Sequence, residues 1–168
     1  ARVLLKPFGK NPRIVLLGLM IITAIFSMFM SNTATTAMML AIVAPLLSLF
    51  DREDPGRKAY ILAVPIAANI GGIGTPIGTP PNAVGLKYLM DIRPISFSEW
   101  IVFGVPFVVV LLLFAWILLL LFFPPKRKEV QITIAGTFPK HGRAWIVYVT
   151  FTGTILLWLL DFLHGMNS

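Results

Sequence analysis

The sequence predicts an all-α integral membrane protein, and three observations predict it. Hydrophobic residues make up 57% of the 168-residue chain and charged residues only 12%, against roughly 25% charged in a soluble domain. The apolar residues come in long runs rather than one-sided stripes, and the run at 100–123 contains no charge. Both 100–123 and 144–163 reach the roughly 20 residues needed to cross a hydrocarbon core, the second broken only by Asp161 near its end. The remaining apolar stretches are interrupted by two uncharged polar breaks, Ser31-Asn32-Thr33 and the segment 71–82.

Composition also excludes several kinds of chemistry. Without cysteine there is no disulfide, thiolate metal site or cysteine nucleophile. His141 and His164 sit outside or at the edge of the apolar runs and form no metal cluster. The net charge of +7 reads as basic loops that orient membrane spans, so the expected partner is a lipid bilayer and not nucleic acid. No carboxylate lies inside 14–50 or 59–90, which leaves no proton relay there. Neither a nucleophile elbow nor a nucleotide loop is present, so no enzyme is expected. Both long runs lie too deep in the chain for a signal peptide. A start at Ala1 and a stop just after a span suggest a fragment.

Residues 1–13 carry Arg2, Lys6, Lys10 and Arg13 and precede the first apolar block, 14–50. As one straight helix that block would extend roughly 55 Å, too long for one crossing. It must break, and the cluster Ser31-Asn32-Thr33-Ala34-Thr35-Thr36 lies at its middle. The basic residues decide how the two limbs run. The linker 51–58 holds Arg52, Arg57 and Lys58, and the connector 124–143 holds Lys126, Arg127, Lys128, Lys140 and Arg143. Only Lys87 and Arg93 remain. If 14–50 returns to its starting side, twelve basic residues share one face against two. A single crossing gives six against eight, which is no bias. The positive-inside rule selects the hairpin, with 1–13, 51–58 and 124–143 cytoplasmic. The path then runs outward through 59–90, inward through 100–123 and outward through 144–163. Charge does not reveal the depth of the hairpin tip, and limbs of this length fit either a double span or a re-entrant hairpin.

Block 59–90 contains Asn69-Ile70-Gly71-Gly72-Ile73-Gly74-Thr75-Pro76-Ile77-Gly78-Thr79-Pro80-Pro81-Asn82, with four glycines and three prolines. Each proline removes a donor and clashes with the preceding turn. With apolar runs on both sides, 59–68 and 83–90, this reads as a discontinuous helix with an unwound loop at 71–82. Such backbone is tolerated at membrane depth only where protein buries it or it lines a cavity. The tetrad Gly74-x-x-x-Gly78 could be a packing motif, but Pro76 interrupts it. Pro106 reads as a plain kink.

Paired breaks of this kind point to a transporter binding site. Freed carbonyls can coordinate a hard cation such as sodium, and half-helix N-termini can receive an anion. Taken singly, Thr23, Ser27 and Thr36 read as hydroxyls bonded back one turn. Asn32 is different, because a buried amide without a partner costs several kcal/mol in hydrocarbon.

The segment Ser27-Met28-Phe29-Met30-Ser31-Asn32-Thr33-Ala34-Thr35-Thr36, followed by Gly71-Gly72-x-Gly74-Thr75-x-x-Gly78-Thr79-Pro80-Pro81-Asn82, closely resembles the divalent anion/sodium symporter family. The resemblance covers nearly the whole chain. It implies a sodium-coupled carrier of C4-dicarboxylates such as succinate or malate, with citrate and sulfate as further candidates, in a bacterial inner membrane. It implies two inverted-topology repeats, each with a re-entrant hairpin and a broken helix, in a homodimer that works by an elevator mechanism. On that likeness 1–13 is the end of a cytoplasmic interfacial arm and 14–50 a re-entrant hairpin tipped by Ser-Asn-Thr. Residues 59–90 form the discontinuous helix, 100–123 a transmembrane helix of the transport domain, and 144–163 the opening helix of the second repeat. The likeness assigns sodium to Ser27, Ser31 and Asn32 with the carbonyl of Gly78. It assigns the anion to Asn32, Thr33, Thr79 and Pro80. Ser27 and Ser31, four apart, would share one helix face. The second repeat is missing, so one sodium site and half a pocket are expected. Two alternatives stay open: a sodium-independent dicarboxylate exchanger of the same fold, and a channel or structural membrane subunit.

Overall fold

The computed structural model describes residues 8–90, 92, 93, 95–130 and 142–159, and among them the chain is helical. The first seven residues, 131–141 with His141, and 160–168 with Asp161 and His164 lie outside the described residues. Helix α1 (Pro12–Ser27) begins where the Asn11 side chain accepts the Arg13 N–H at 3.0 Å, with Pro12 at a first-turn position that needs no donor. The chain turns over residues 28–31 into α2 (Asn32–Leu47), whose cap is Ser31, its Oγ accepting the Ala34 N–H at 3.3 Å. Helix α3 (Gly56–Gly71) continues into one 3-10 turn, Gly72–Gly74. After residues 75–79 come α4 (Pro80–Met90), α5 (Phe97–Phe122) and α6 (Gly142–Leu159). The Ser96–Glu99 capping box starts α5. The unwound stretch is thus only 75–79, narrower than the glycine and proline content suggests. Pro80 and Pro81 occupy the first turn of α4, where a helix has no use for their missing N–H groups.

Contacts at the two ends of α3 fix the path of the chain. Near its start, the Tyr60 hydroxyl donates to the Pro12 carbonyl at 2.7 Å, and its ring lies 5.1 Å from that of Phe50. The first residue of α1 and the chain just beyond α2 therefore meet at one end, the base. At the other end Gly71 lies against the backbone of Ala24, and Gly72 against Asn32. The α1–α2 pair leaves the base, turns at the tip and returns. Helix α5 runs opposite to α3, its Trp100 indole donating to the Ile73 carbonyl at the tip and its Trp116 indole to the Arg13 carbonyl at the base, both at 2.9 Å. The Phe151 ring of α6 meets Phe29 at the tip edge-on, 5.9 Å between centroids.

The described residues of three basic stretches meet at the base. Lys10, Arg52, Lys126, Arg127 and Lys128 lie in its connections, and Arg13, Arg57 and Lys58 in the first turns of α1 and α3. Arg93 lies at the tip end of α5, paired with Glu99. Polar bonds bind the base together. Asp54 is buried, and its carboxylate accepts the N–H of Gly56 at 2.8 Å and those of Lys126 and Arg127 at 3.2 Å. Arg57 donates to the Leu47 and Phe50 carbonyls, closing the end of α2, and Arg127 donates to the Leu49 carbonyl.

The core is shared by Leu16, Leu19 and Met20 of α1, Met39 and Val43 of α2, Tyr60 and Val64 of α3, and Val108 and Leu112 of α5. Helix α3 sits among the others and buries mainly small residues, Ala59, Ala63, Ala67, Ala68 and Gly71, which allow close backbone approach. A Cβ on Gly71 would collide with the backbone of Ala24. Among the described residues α5 is the one helix long and apolar enough to cross a membrane. Its 26 residues extend about 39 Å, and Val102, Phe107, Val110, Phe114 and Leu121 stand exposed along it.

Candidate functional site

The site is built at the tip, where the turn 28–31 meets the end of α3. Ser27 is the last residue of α1 and fully buried, and its hydroxyl donates to Asn32 Oδ1 at 2.7 Å. Asn32 opens α2, and its Nδ2 donates to Asn69 Oδ1 at 3.0 Å, bridging 37 residues of sequence. Ser27 and Ser31 do not share a helix face, because the chain leaves the helix between them. Ser31 instead caps α2 from outside and is exposed.

The backbone beyond α3 is drawn onto this turn by side chains with fixed partners. The Thr75 hydroxyl donates to the Met28 carbonyl. Asn82, nearly buried on α4, donates both amide protons to the carbonyls of Gly72 and Thr75, each at 2.8 Å. Trp100 takes the carbonyl of Ile73. The carbonyl of Gly78 is left over, and among the described residues no donor reaches it. The residue three positions on, Pro81, has no N–H to offer, and the Asn82 N–H goes to Thr79 at 3.0 Å.

That open carbonyl lies close to the bare Cα of Gly72, as does the Asn32 amide. A Cβ built on Gly72 would lie 2.6 Å from Asn32 Oδ1 and 3.3 Å from the Gly78 carbonyl oxygen. Two oxygens thus crowd the same side of Gly72, and the Ser27 hydroxyl donates to the first of them. A hard cation takes oxygen ligands of this kind, carbonyl, amide and hydroxyl, so the donor set fits sodium. The ends of α1 and α3 present their negative poles at the tip, and the starts of α2 and α4 their positive poles. The N–H groups of Asn32 and Thr33 head α2 without a capping partner among the described residues, which suits an anion.

Of the residues expected to hold sodium, the structure brings Ser27, Asn32 and Gly78 together around Gly72 and sets Ser31 beside them as a helix cap. Of those expected to hold the anion, Thr33 and Pro80 are exposed and Thr79 half-buried, each at the start of a helix. Asn69, Gly72, Thr75 and Asn82 were not assigned roles by the sequence. The one available signal was a pair of asparagines flanking a glycine-proline run in an otherwise apolar block.

The chain as a whole has relatives among known proteins. The sequence matches the citrate transporter family (CitMHS) over residues 1–167. The chain belongs to the citrate transporter family. That family is one of membrane transporters and is similar to the divalent anion/sodium symporters. It is 37% identical to a sodium-dependent high-affinity dicarboxylate transporter of Caenorhabditis elegans over 92% of this chain and 32% of that protein. It is 36% identical to the sodium-dependent dicarboxylate transporter SdcS of Staphylococcus saprophyticus over 68% of this chain and 24% of that one. It is also 32% identical to the low-affinity phosphate transporter PHO90 of Saccharomyces cerevisiae, over 91% of this chain and 17% of the relative. The chain thus spans a third or less of the length of these relatives. The family sorts it with transporters of anions and not with enzymes.

Proposed function

We propose that this chain supplies one sodium site and half of the anion pocket of a longer secondary transporter that carries C4-dicarboxylates such as succinate or malate with sodium. The observation that carries the reading is the meeting of two oxygens at Gly72, Asn32 Oδ1 and an open Gly78 carbonyl. No formal charge stands among these groups, so dipoles and sodium itself must offset a divalent anion. This favours an ordered mechanism in which sodium enters first, fixes Asn32 and the loop 75–79, and the anion then settles on the N–H ends of α2 and α4 with Asn32, Thr33, Thr79 and Pro80. The sodium-dependent relatives support the coupling. The phosphate transporter relative favours a second reading in which a phosphate dianion meets the same neutral donors.

The rest of the working cycle belongs to the proposal as well. Limbs of 16 residues extend about 24 Å, short of a roughly 30 Å hydrocarbon core, which supports a re-entrant hairpin opening to a basic, cytoplasmic base. Hydrogen bonds at base and tip tie α1, α2, α3 and α5 into one block, which supports an elevator-like displacement of the whole unit within a homodimer. The test is uptake by the full-length carrier in proteoliposomes. Labelled succinate should enter only with an inward sodium gradient. Equal succinate counterflow without sodium would overturn the coupling in favour of exchange, and phosphate uptake without succinate uptake would overturn the substrate.

A further inference from the structure

The amide of Asn32 has two ends, and only one of them can serve a cation. Its oxygen must be the end set beside Gly72 with the Gly78 carbonyl, and its NH2 must face away. An amide is free to turn about its last torsion, and nothing in Asn32 itself chooses between the two orientations. In the structure a residue near the end of α3 takes the NH2 end. Asn69 lies on the last turn of that helix and Gly72, three residues on, opens the 3-10 turn that follows. Asn69 Oδ1 accepts from Asn32 Nδ2 at 3.0 Å. The bare Cα of Gly72 leaves room for the other end, with the position of its absent Cβ 2.6 Å from Oδ1 and 3.3 Å from Nδ2. Ser27 completes the arrangement, because its hydroxyl donates to Oδ1 at 2.7 Å.

We infer that Asn69 is a positioning residue for sodium: by accepting the Asn32 NH2 it holds Asn32 Oδ1 toward the cation. The inference rests on the reading of the tip as a sodium site. Without an acceptor at 69 the Asn32 amide can turn its NH2 toward Gly72, where a donor opposes a cation instead of binding it. Asn69 needs only its oxygen for this role, and that requirement makes the idea testable. Aspartate presents two acceptors and no donor, and the side chain at 69 is exposed, so a carboxylate there remains solvated.

The experiment compares Asn69→Leu and Asn69→Asp in the full-length carrier. It measures half-saturating sodium for succinate uptake, KM for succinate at saturating sodium, and the thermal midpoint of the sodium-free protein. Asn69→Leu should raise half-saturating sodium about tenfold, the equivalent of one hydrogen bond. KM at saturating sodium should stay near the wild-type value, since sodium restores the Asn32 orientation. Asn69→Asp should restore half-saturating sodium to the wild-type value or below it. A purely structural role would lower the thermal midpoint without shifting sodium in particular, and that result would overturn the inference. So would an aspartate as defective toward sodium as the leucine, which would mean that Asn69 donates. If the leucine variant does not fold, Asn69→Ala takes its place against the same aspartate. A sodium-dependent wild type with unaltered variants overturns this inference alone. A wild-type carrier indifferent to sodium overturns the functional reading and the inference with it.

Discussion

Replacing Gly72 with alanine tests the site where it is narrowest. The new methyl would lie 2.6 Å from Asn32 Oδ1 and 3.3 Å from both Asn32 Nδ2 and the Gly78 carbonyl oxygen, against ordinary contacts of about 3.5–4.0 Å. The amide would have to retreat by nearly an ångström, and Asn69 and Ser27, bonded to its two ends, resist that shift. Forcing a methyl into a packed site costs about 1–3 kcal/mol. If that cost falls on the cation-bound geometry, sodium affinity drops between about 5-fold and 150-fold. Gly72 is helical, with φ −57°, so alanine strains no backbone angle and the protein should still fold. The assay is sodium-dependent succinate uptake by the full-length carrier, with the thermal midpoint as the control for folding. A Gly72→Ala carrier with wild-type half-saturating sodium would refute the assignment of this site.

Two further outcomes bear on stability. Thr35 is fully buried on α2, and its Oγ has no hydrogen-bond partner among the described residues. Thr35→Val should therefore stabilise the substrate-free protein by about 1 kcal/mol, raising the thermal midpoint by a few degrees, and a lowered midpoint would mean that the hydroxyl is used. Asp54→Ala removes the acceptor shared by Gly56, Lys126 and Arg127. It should cost about 2–4 kcal/mol by denaturant unfolding, since hydrogen bonds to a charged group are the stronger kind, while half-saturating sodium in the surviving carrier stays unchanged.

How much of this the sequence discloses depends on whether a feature is local. The return of the hairpin was legible because fourteen basic residues can be counted, and membrane insertion weighs them. The break after α3 was legible because glycine and proline act on their own backbone. Its extent was not, since proline interrupts a helix but also starts one, and Pro80 and Pro81 start α4. Ser27 and Ser31 show the same limit. Spacing of four puts two residues on one face only while the helix lasts, and α1 ends at Ser27. The bond between Asn32 and Asn69 was illegible for another reason: it joins residues 37 apart, and no local rule pairs two amides across that distance.

The same distinction explains why the site can be neutral and still specific. The two oxygens at Gly72 lie close together because nearby residues lack something, although Asn32 Oδ1 already accepts from Ser27. Pro81 lacks the N–H that would have claimed the Gly78 carbonyl, and Gly72 lacks the Cβ that would have filled the space before it. Other groups in the loop are claimed: the Gly72 and Thr75 carbonyls by Asn82, that of Ile73 by Trp100, and the Asn32 NH2 by Asn69. On the proposed reading, selectivity for a small cation comes from which acceptors are turned to it and not from any charge. A fixed carboxylate here would hold sodium at all times and repel the dianion beside it. A neutral cradle loses its cation when the anion leaves, and coupled transport needs that reversibility.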